Sequence, residues 1–364
     1  MVLNAIDLFS GGGGLSEGLK QAGFKILSAV ENHSIAADTY RLNHKDTFVF
    51  ERDIQFVSIQ DILEKSNIKK GELDLLAGCP PCQGFSKLTA KYKREDARNA
   101  LISEVTRLVK GLMPKVIMIE NVPGIITKGH DYFNKFIRTI KKLGYKVNYD
   151  VLQVADYGVP QNRKRFVLLA GLDFEIKIPT PTHSQKGENN LLPWMTVKDA
   201  LVGLEQPISL EDSFEYGGPQ FFNWNITRHI ADINIERLKY LKPGGQRFDI
   251  PDHLRPPCHK GNNSGFSNVY TRMSWNDVSP TITGGCTVLS KGRFGHPSEL
   301  RTISVREAAR LQTFPDTYKF ATDLIDHACQ IIGNALPCTF AQVMGEACYN
   351  SLMERKSSLS TNVE

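Results

Sequence analysis

"DLFSGGGGLSEGL", Asp7 to Leu19, decides the fold of this chain. An apolar run that reads as a buried strand stops at Phe9, four consecutive glycines follow, and a helical pattern starts at Leu15. Glycines let the backbone approach a ligand closely, and the helix N-terminus behind them offers free N–H donors at a positive dipole end. No Gly-Lys-Ser/Thr follows, so the turn is not a phosphate-binding loop. Nor is it a dinucleotide fingerprint, because Ser16 or Glu17 stands where the third glycine belongs. A mere tight turn would not need four glycines at their entropic cost. The stretch reads as the pocket of a nucleoside cofactor.

Working outward, the first 180 residues repeat this strand–helix texture. "KILSAVE" (25–31), "LDLLAG" (73–78), "KVIMIENV" (115–122), "YKVNYDVLQ" (145–153) and "RFVLLAGL" (165–172) read as buried strands. "LSEGLKQAG" and "LISEVTRLVKGL" read as helices between them. Such alternation predicts an α/β fold: a Rossmann-like, mainly parallel sheet covered on both faces. The texture changes at "IPTPTHSQKGENN" (178–190), a Pro-rich polar linker. Beyond it the chain is irregular until helical patterning returns with "SVREAARLQTF" (304–314) and "LPCTFAQVMGEACYNSLMERK" (336–356). The expected organisation is a catalytic and cofactor domain over 1–182, a smaller loop-rich domain over 183–325, and a segment over 326–364 that returns to the first domain and ends in a flexible tail.

Two carboxylates suit the cofactor reading. Glu31 ends the second strand at the spacing of a residue that hydrogen-bonds a ribose diol, and Asp53 in "ERDIQFV" is placed to take an exocyclic adenine amine. "GCPPCQGFS" (78–86) then puts two cysteines at the carboxyl edge of the sheet, where open α/β folds bind ligands. A zinc site needs two more ligands at metal spacing, and none of the other five cysteines supplies a second C-x-x-C, so no metal is expected. A redox pair is the stronger rival, but redox folds with this motif are small and carry no glycine-run pocket. One nucleophilic thiolate with a bystander remains.

Together, "DLFSGGGGLSEGL", "PCQGFS", "ENVPGI", "QNRKRF", "REAARLQTFPD" and "GNALP", in this order, resemble the cytosine-C5 DNA methyltransferases. The resemblance reaches both ends of the chain and leaves only about 183–280 unmatched. It implies an S-adenosylmethionine-dependent methyltransferase fold with a target-recognition domain. It also implies that Cys82 adds to C6 of cytosine, turning C5 into a carbon that attacks the methyl group. Carried over by position, Glu120 grips N3 and the amine of the base, while Arg163 and Arg165 hold the base carbonyl and support the nucleophile. Phe9, the turn Gly11, Gly12, Gly13 and Gly14, Glu31, Asp53 with Ile54, Pro80 and Asn334 are the implied contacts to S-adenosyl-L-methionine. Ala335 follows Asn334 where the family often has Ser, so a side-chain contact to the methionine end is not implied. The basic segment centred on 87–98 matches a loop that closes over DNA and a flipped-out cytosine.

Composition agrees without deciding. Net charge is +5, a mild surplus compatible with a nucleic-acid partner. No apolar run is long enough to span a membrane and no signal peptide is legible, so seven reduced cysteines in a cytoplasmic protein are expected. The expected partner is double-stranded DNA, with Arg247, Arg255, Arg272, Lys291 and Arg293 of the middle region as candidate contacts, about half of them to phosphate only. The chain is expected to be a stand-alone, monomeric bacterial modification enzyme, held at the nucleoid through DNA. A cognate restriction endonuclease enters by analogy only. Two alternatives stay open: a tRNA cytosine-C5 methyltransferase on the same scaffold, and a catalytically inactive DNA-binding relative.

Overall fold

The computed structural model describes residues 2–81, 101–127, 130–261 and 268–361. Within them the chain divides into two compact units. The first holds 1–154, 164–181 and 336–364; the second holds 155–163 and 182–335.

The first unit is a seven-stranded sheet. Its strands are β1 (Leu3–Leu8), β2 (Phe24–Glu31), β3 (Phe48–Glu51), β4 (Leu75–Gly78), β5 (Val116–Asn121), β6 (Tyr145–Gln153) and β7 (Lys164–Leu172). They lie in the order β3-β2-β1-β4-β5-β7-β6. Strands β1 to β5 pair in parallel, and β7 pairs antiparallel with both β5 and β6. The order reverses between β1 and β4, the switch point at which an α/β sheet opens a crevice beyond its carboxyl ends. Every predicted strand is present. β3 was not foreseen: it is only four residues long, and the run Phe48, Val49, Phe50 is too short to announce a strand.

Helices α1 (Gly14–Gln21), α2 (Ser34–Asn43), α3 (Ile59–Ser66), α4 (Leu101–Leu112) and α5 (His130–Lys142) connect these strands. Ile6 and Leu8 of β1 join one core with Ile62 of α3, Leu108 of α4 and Phe136 of α5. Asp7, between them, points to the opposite face, where it meets Ser16 of α1.

The second unit carries α6 (Val197–Leu201), α7 (Leu210–Ser213), α8 (Asp232–Lys239), α9 (Val305–Leu311) and α10 (Ile325–Asn334), joined by long irregular stretches. The return to the first unit thus begins at Leu336, after α10, whereas the sequence placed it at 326. Helix α11 (Cys338–Thr361) packs on α1 so closely that a Cβ on Gly18 would stand 2.4 Å from the Cys338 carbonyl. It also corrects the expected tail. The stretch from Glu354 stays helical to Thr361, with the Ser357 and Ser358 hydroxyls donating to the carbonyls of Glu354 and Arg355. No described helix is long and apolar enough to cross a membrane.

Candidate functional site

The glycine turn is held open from beneath. Phe9 and Gly11 both adopt left-handed φ, +59° and +54°, and a Cβ on Gly11 would meet nothing within 4 Å. Gly13, at φ +96°, caps α1 with no side chain in the way. Glu31 Oε2 accepts the Gly11 N–H at 2.8 Å and Oε1 accepts the His33 N–H at 2.8 Å, which leaves each oxygen a lone pair for a ligand hydroxyl. Ile54 is buried, and Asp53 caps the short turn Ile54–Phe56 by accepting from Gln55 N at 3.0 Å.

Below the turn lies a polar cluster that the sequence reading missed. Asp7 is fully buried, and its Oδ2 accepts from the Ser16 hydroxyl at 2.7 Å. That hydroxyl also bonds the Tyr40 hydroxyl at 2.7 Å. Burial pushes the Asp7 carboxyl up to about 7; the Ser16 bond opposes the shift and the charge of Glu31 adds to it. Asp7 Oδ1 has no partner among the described residues. The signal was available, since an aspartate inside "AIDLF" is a charge in a buried strand.

The second group gathers at the ends of β4, β5 and β7. Glu120 is 7% exposed and Arg165 Nε donates to its Oε1 at 2.6 Å, an ion pair sheltered from water. The next residue, Asn121, donates from Nδ2 to the Pro80 carbonyl at 2.9 Å and accepts the Val122 N–H at 2.8 Å. The Cys79 thiol is pushed well up, first by burial and then by the charges of Glu120 and Asp7. It is a protonated thiol, unsuited to nucleophilic or redox work. Asn121 is the second missed residue; it stands in the quoted motif, yet nothing local says which carbonyl it reaches. Cys82 and the basic segment 87–98 lie outside the described residues.

Arg163 belongs to the second unit and Arg165 to the first. Arg163 is 4% exposed, and its guanidinium donates to the carbonyls of Ile282, at 2.9 Å, and Gly333, at 3.3 Å. Buried Gln161 and Gln312 complete this knot. Gln161 Oε1 accepts the Ile282 N–H, its Nε2 donates to Gln312 Oε1, and Gln312 Nε2 donates to the Ile332 carbonyl. Four stretches read separately, "QNRKRF", "SPTITGG", "LQTFPD" and "GNALP", are thereby one assembly. Asn334, at its edge, is exposed.

The expected DNA-contacting cations need correction. Arg247 is fully buried and Arg272 is 3% exposed, its guanidinium spent on the carbonyls of Leu238, His296 and Glu299. Arg255 donates to the carbonyls of Ile250 and Phe248. Of the five, Lys291 is exposed and Arg293 half-buried. Irregular chain leaves carbonyls that no ladder satisfies, and arginine's forked donors supply them from within.

The sequence model of the C-5 cytosine-specific DNA methylases matches residues 3–350. A type II methylase of Herpetosiphon aurantiacus is 37% identical over 354 residues, 95% of each chain. A type II methyltransferase of Haemophilus parahaemolyticus is 36% identical over 352 residues, 95% of this chain and 87% of that one. Among solved structures, a protein assigned as a DNA modification methyltransferase encoded within an E. coli prophage superposes with a TM-score of 0.74 at 26% identity, over 96% of this chain and 99% of that one.

Proposed function

The chain belongs to the C-5 cytosine-specific DNA methylase family, and from that premise we propose that it methylates a flipped-out cytosine of double-stranded DNA through a covalent bond from Cys82 to C6. The observation that carries the reading is the sheltered Glu120–Arg165 pair, tied through Asn121 to the backbone two residues before Cys82.

Addition of the Cys82 thiolate at C6 pushes electron density to N3 and C5. Glu120 shares a proton at N3 and so limits the charge on the ring, and Arg165 keeps that carboxyl in place. C5 takes the methyl group, a base removes the C5 proton, and Cys82 leaves as thiolate, which restores the aromatic ring. No side chain stands out as that base, and water is proposed to serve. The methyl donor is S-adenosyl-L-methionine, which supplies a methyl on a positively charged sulfur. The open space at Gly11 and the free lone pairs of Glu31 suit a nucleoside without a pyrophosphate. Phe9, Gly12, Gly14, Asp53, Ile54, Pro80 and Asn334 are proposed to complete its contacts. Arg163 donates to the Ile282 and Gly333 carbonyls, and its role towards the base carbonyl is proposed from the family pattern alone. The working unit is a monomer, and a cognate endonuclease rests on analogy alone.

Duplex DNA carrying 5-fluorocytosine at the target tests the nucleophile, because fluorine cannot leave as a proton does. A covalent adduct mapped to Cys82 is expected. Normal methylation of ordinary DNA without that adduct would overturn the assignment.

A further inference from the structure

The exposed face of α5 is unlike that of four other described helices. Helices α1, α2, α4 and α8 each pair an acid with a base one turn away: Glu17 with Lys20, Asp38 with Arg41, Glu104 with Arg107, Glu236 with Lys239. Helix α5 instead sets Lys135, Arg138, Lys141 and Lys142 in water at spacings of three and four, with Lys146 of β6 close behind in sequence. None of these five cations has an ion pair among the described residues. Like charges three and four apart destabilise a helix by about 0.2–0.5 kcal/mol per pair, so this face works against the stability of its own helix.

The segment 130–149 holds five cations against one carboxylate, Asp131. That excess of four sits in a chain whose whole surplus is +5. Charge beyond the segment is modest. Asp150 is exposed beside Tyr149, Glu175 accepts from Asn148, and Asp173 faces Arg355.

Helix α5 begins nine residues after Asn121, so it follows in the chain from the strand that carries Glu120. Under it Phe133 packs edge-on against Phe166 at 5.0 Å. Tyr149 of β6, the last strand of the sheet, contacts both rings at 5.6 Å and is 49% exposed; Tyr132 on α5 is 40% exposed. The cationic strip thus lies on the helix that follows the strand carrying Glu120, with half-exposed Tyr132 and Tyr149 beside it.

We propose that this α5–β6 face is a second DNA contact, a track for the phosphodiester backbone of duplex flanking the target cytosine. The inference rests on DNA being the substrate. The occupant is a polyanion because the cations are unpaired, closely spaced and on one helix face, which is costly alone and favourable against phosphates. The face carries no sequence information. Its contribution is affinity and a longer footprint, and it is strongest at low salt.

The triple variant Lys135→Gln, Arg138→Gln, Lys142→Gln tests it, with two duplexes sharing one target: a short one confined to the target and a long one with flanks on both sides. For the wild type, the long duplex should bind more tightly and with a steeper dependence of log Kd on log salt. In the variant the slope for the long duplex should flatten by about 0.9 for each phosphate no longer neutralised, so by roughly two to three. The variant's KM for long DNA should rise severalfold at low salt while kcat changes little, and its melting temperature should equal or exceed the wild type's. An unchanged salt slope on the long duplex would overturn the proposal. So would an unchanged slope combined with salt-sensitive binding of the wild type to anionic lipid vesicles, which would give the face to a membrane surface. A wild type that methylates no DNA would instead remove the reading on which the proposal rests.

Discussion

The two units reach order by opposite routes. In the first, backbone groups pair along a ladder and polar side chains are released for chemistry at the strand ends: Glu31, Glu120, Asn121 and Arg165 stand where β2, β5 and β7 deliver them. In the second, little ladder exists, and buried cations are consumed in replacing it. Arg163, Arg272 and Arg306 between them satisfy carbonyls of Ile282, Gly333, Leu238, His296, Glu299, Asn223 and Tyr318. Burial lowers the Arg306 guanidinium to about 10, a measure of the desolvation that these carbonyls offset. A charge in the first unit is evidence about reaction; a charge in the second is first evidence about folding.

That contrast breaks most visibly if the two kinds of charge are exchanged. Glu120→Gln should cut single-turnover methyl transfer by about 10²–10⁴; a loss below tenfold would remove Glu120 from the chemistry. Arg272→Leu should leave the His296 and Glu299 carbonyls without a donor, the Leu238 carbonyl keeping the Leu241 N–H, and should destabilise the fold by about 2 kcal/mol or more, read from denaturant unfolding. A midpoint equal to that of Lys291→Ala, an exposed cation, would refute the structural role.

Smaller effects sharpen the comparison. Asn121→Ala should cost about 1–3 kcal/mol by orphaning the Pro80 carbonyl, and should lower kcat more than it raises KM for DNA. Asp7 makes the first unit sensitive to pH. Its carboxyl is raised in the fold to about 7 from an ordinary value of 3.8, so the protonated form is the one the fold favours. Its contribution is fully present below pH 3.8 and is lost as pH rises through 7, with a slope of at most about 1.4 kcal/mol per pH unit. Asp7→Asn should flatten that part of the stability profile; an unaltered profile from pH 4 to 8 would contradict the assignment. The smallest effect belongs to Cys79→Ser. A thiol held protonated beside Glu120 takes no part in electron or methyl transfer, so methylation should stay close to wild type. Loss as complete as with Cys82→Ser would revive the redox reading.

The same contrast explains what the sequence disclosed. The strands of the first unit were legible because parallel strands buried on both faces are unbroken apolar runs, "VIMIE" above all. The positions of the glycine turn, Glu31 and Glu120 beyond or at the ends of β1, β2 and β5 were legible from the ends of those apolar runs. Asp7 was visible as a charge in a buried strand, but the partners of Asn121 and of the Asp7–Ser16–Tyr40 chain were not, since they lie 41, 9 and 24 residues away through the fold. In the second unit almost nothing was legible. Arg163 reaches a carbonyl 170 residues on and Gln161 an amide 151 residues on, separations that leave no local pattern. Reading Arg247 and Arg272 as DNA contacts treated a loop-rich region as if its cations were free, whereas the lack of ladder is the reason they are not.

The central claim is that Cys82 drives methyl transfer to cytosine in DNA. The most direct test is genome-wide mapping of 5-methylcytosine in a methylation-free bacterial host expressing the chain, with Cys82→Ala in parallel. Methyl marks at one short motif, absent with Cys82→Ala, are the predicted result. Soluble protein that binds S-adenosylmethionine and leaves no marks, or marks that persist with Cys82→Ala, would contradict it.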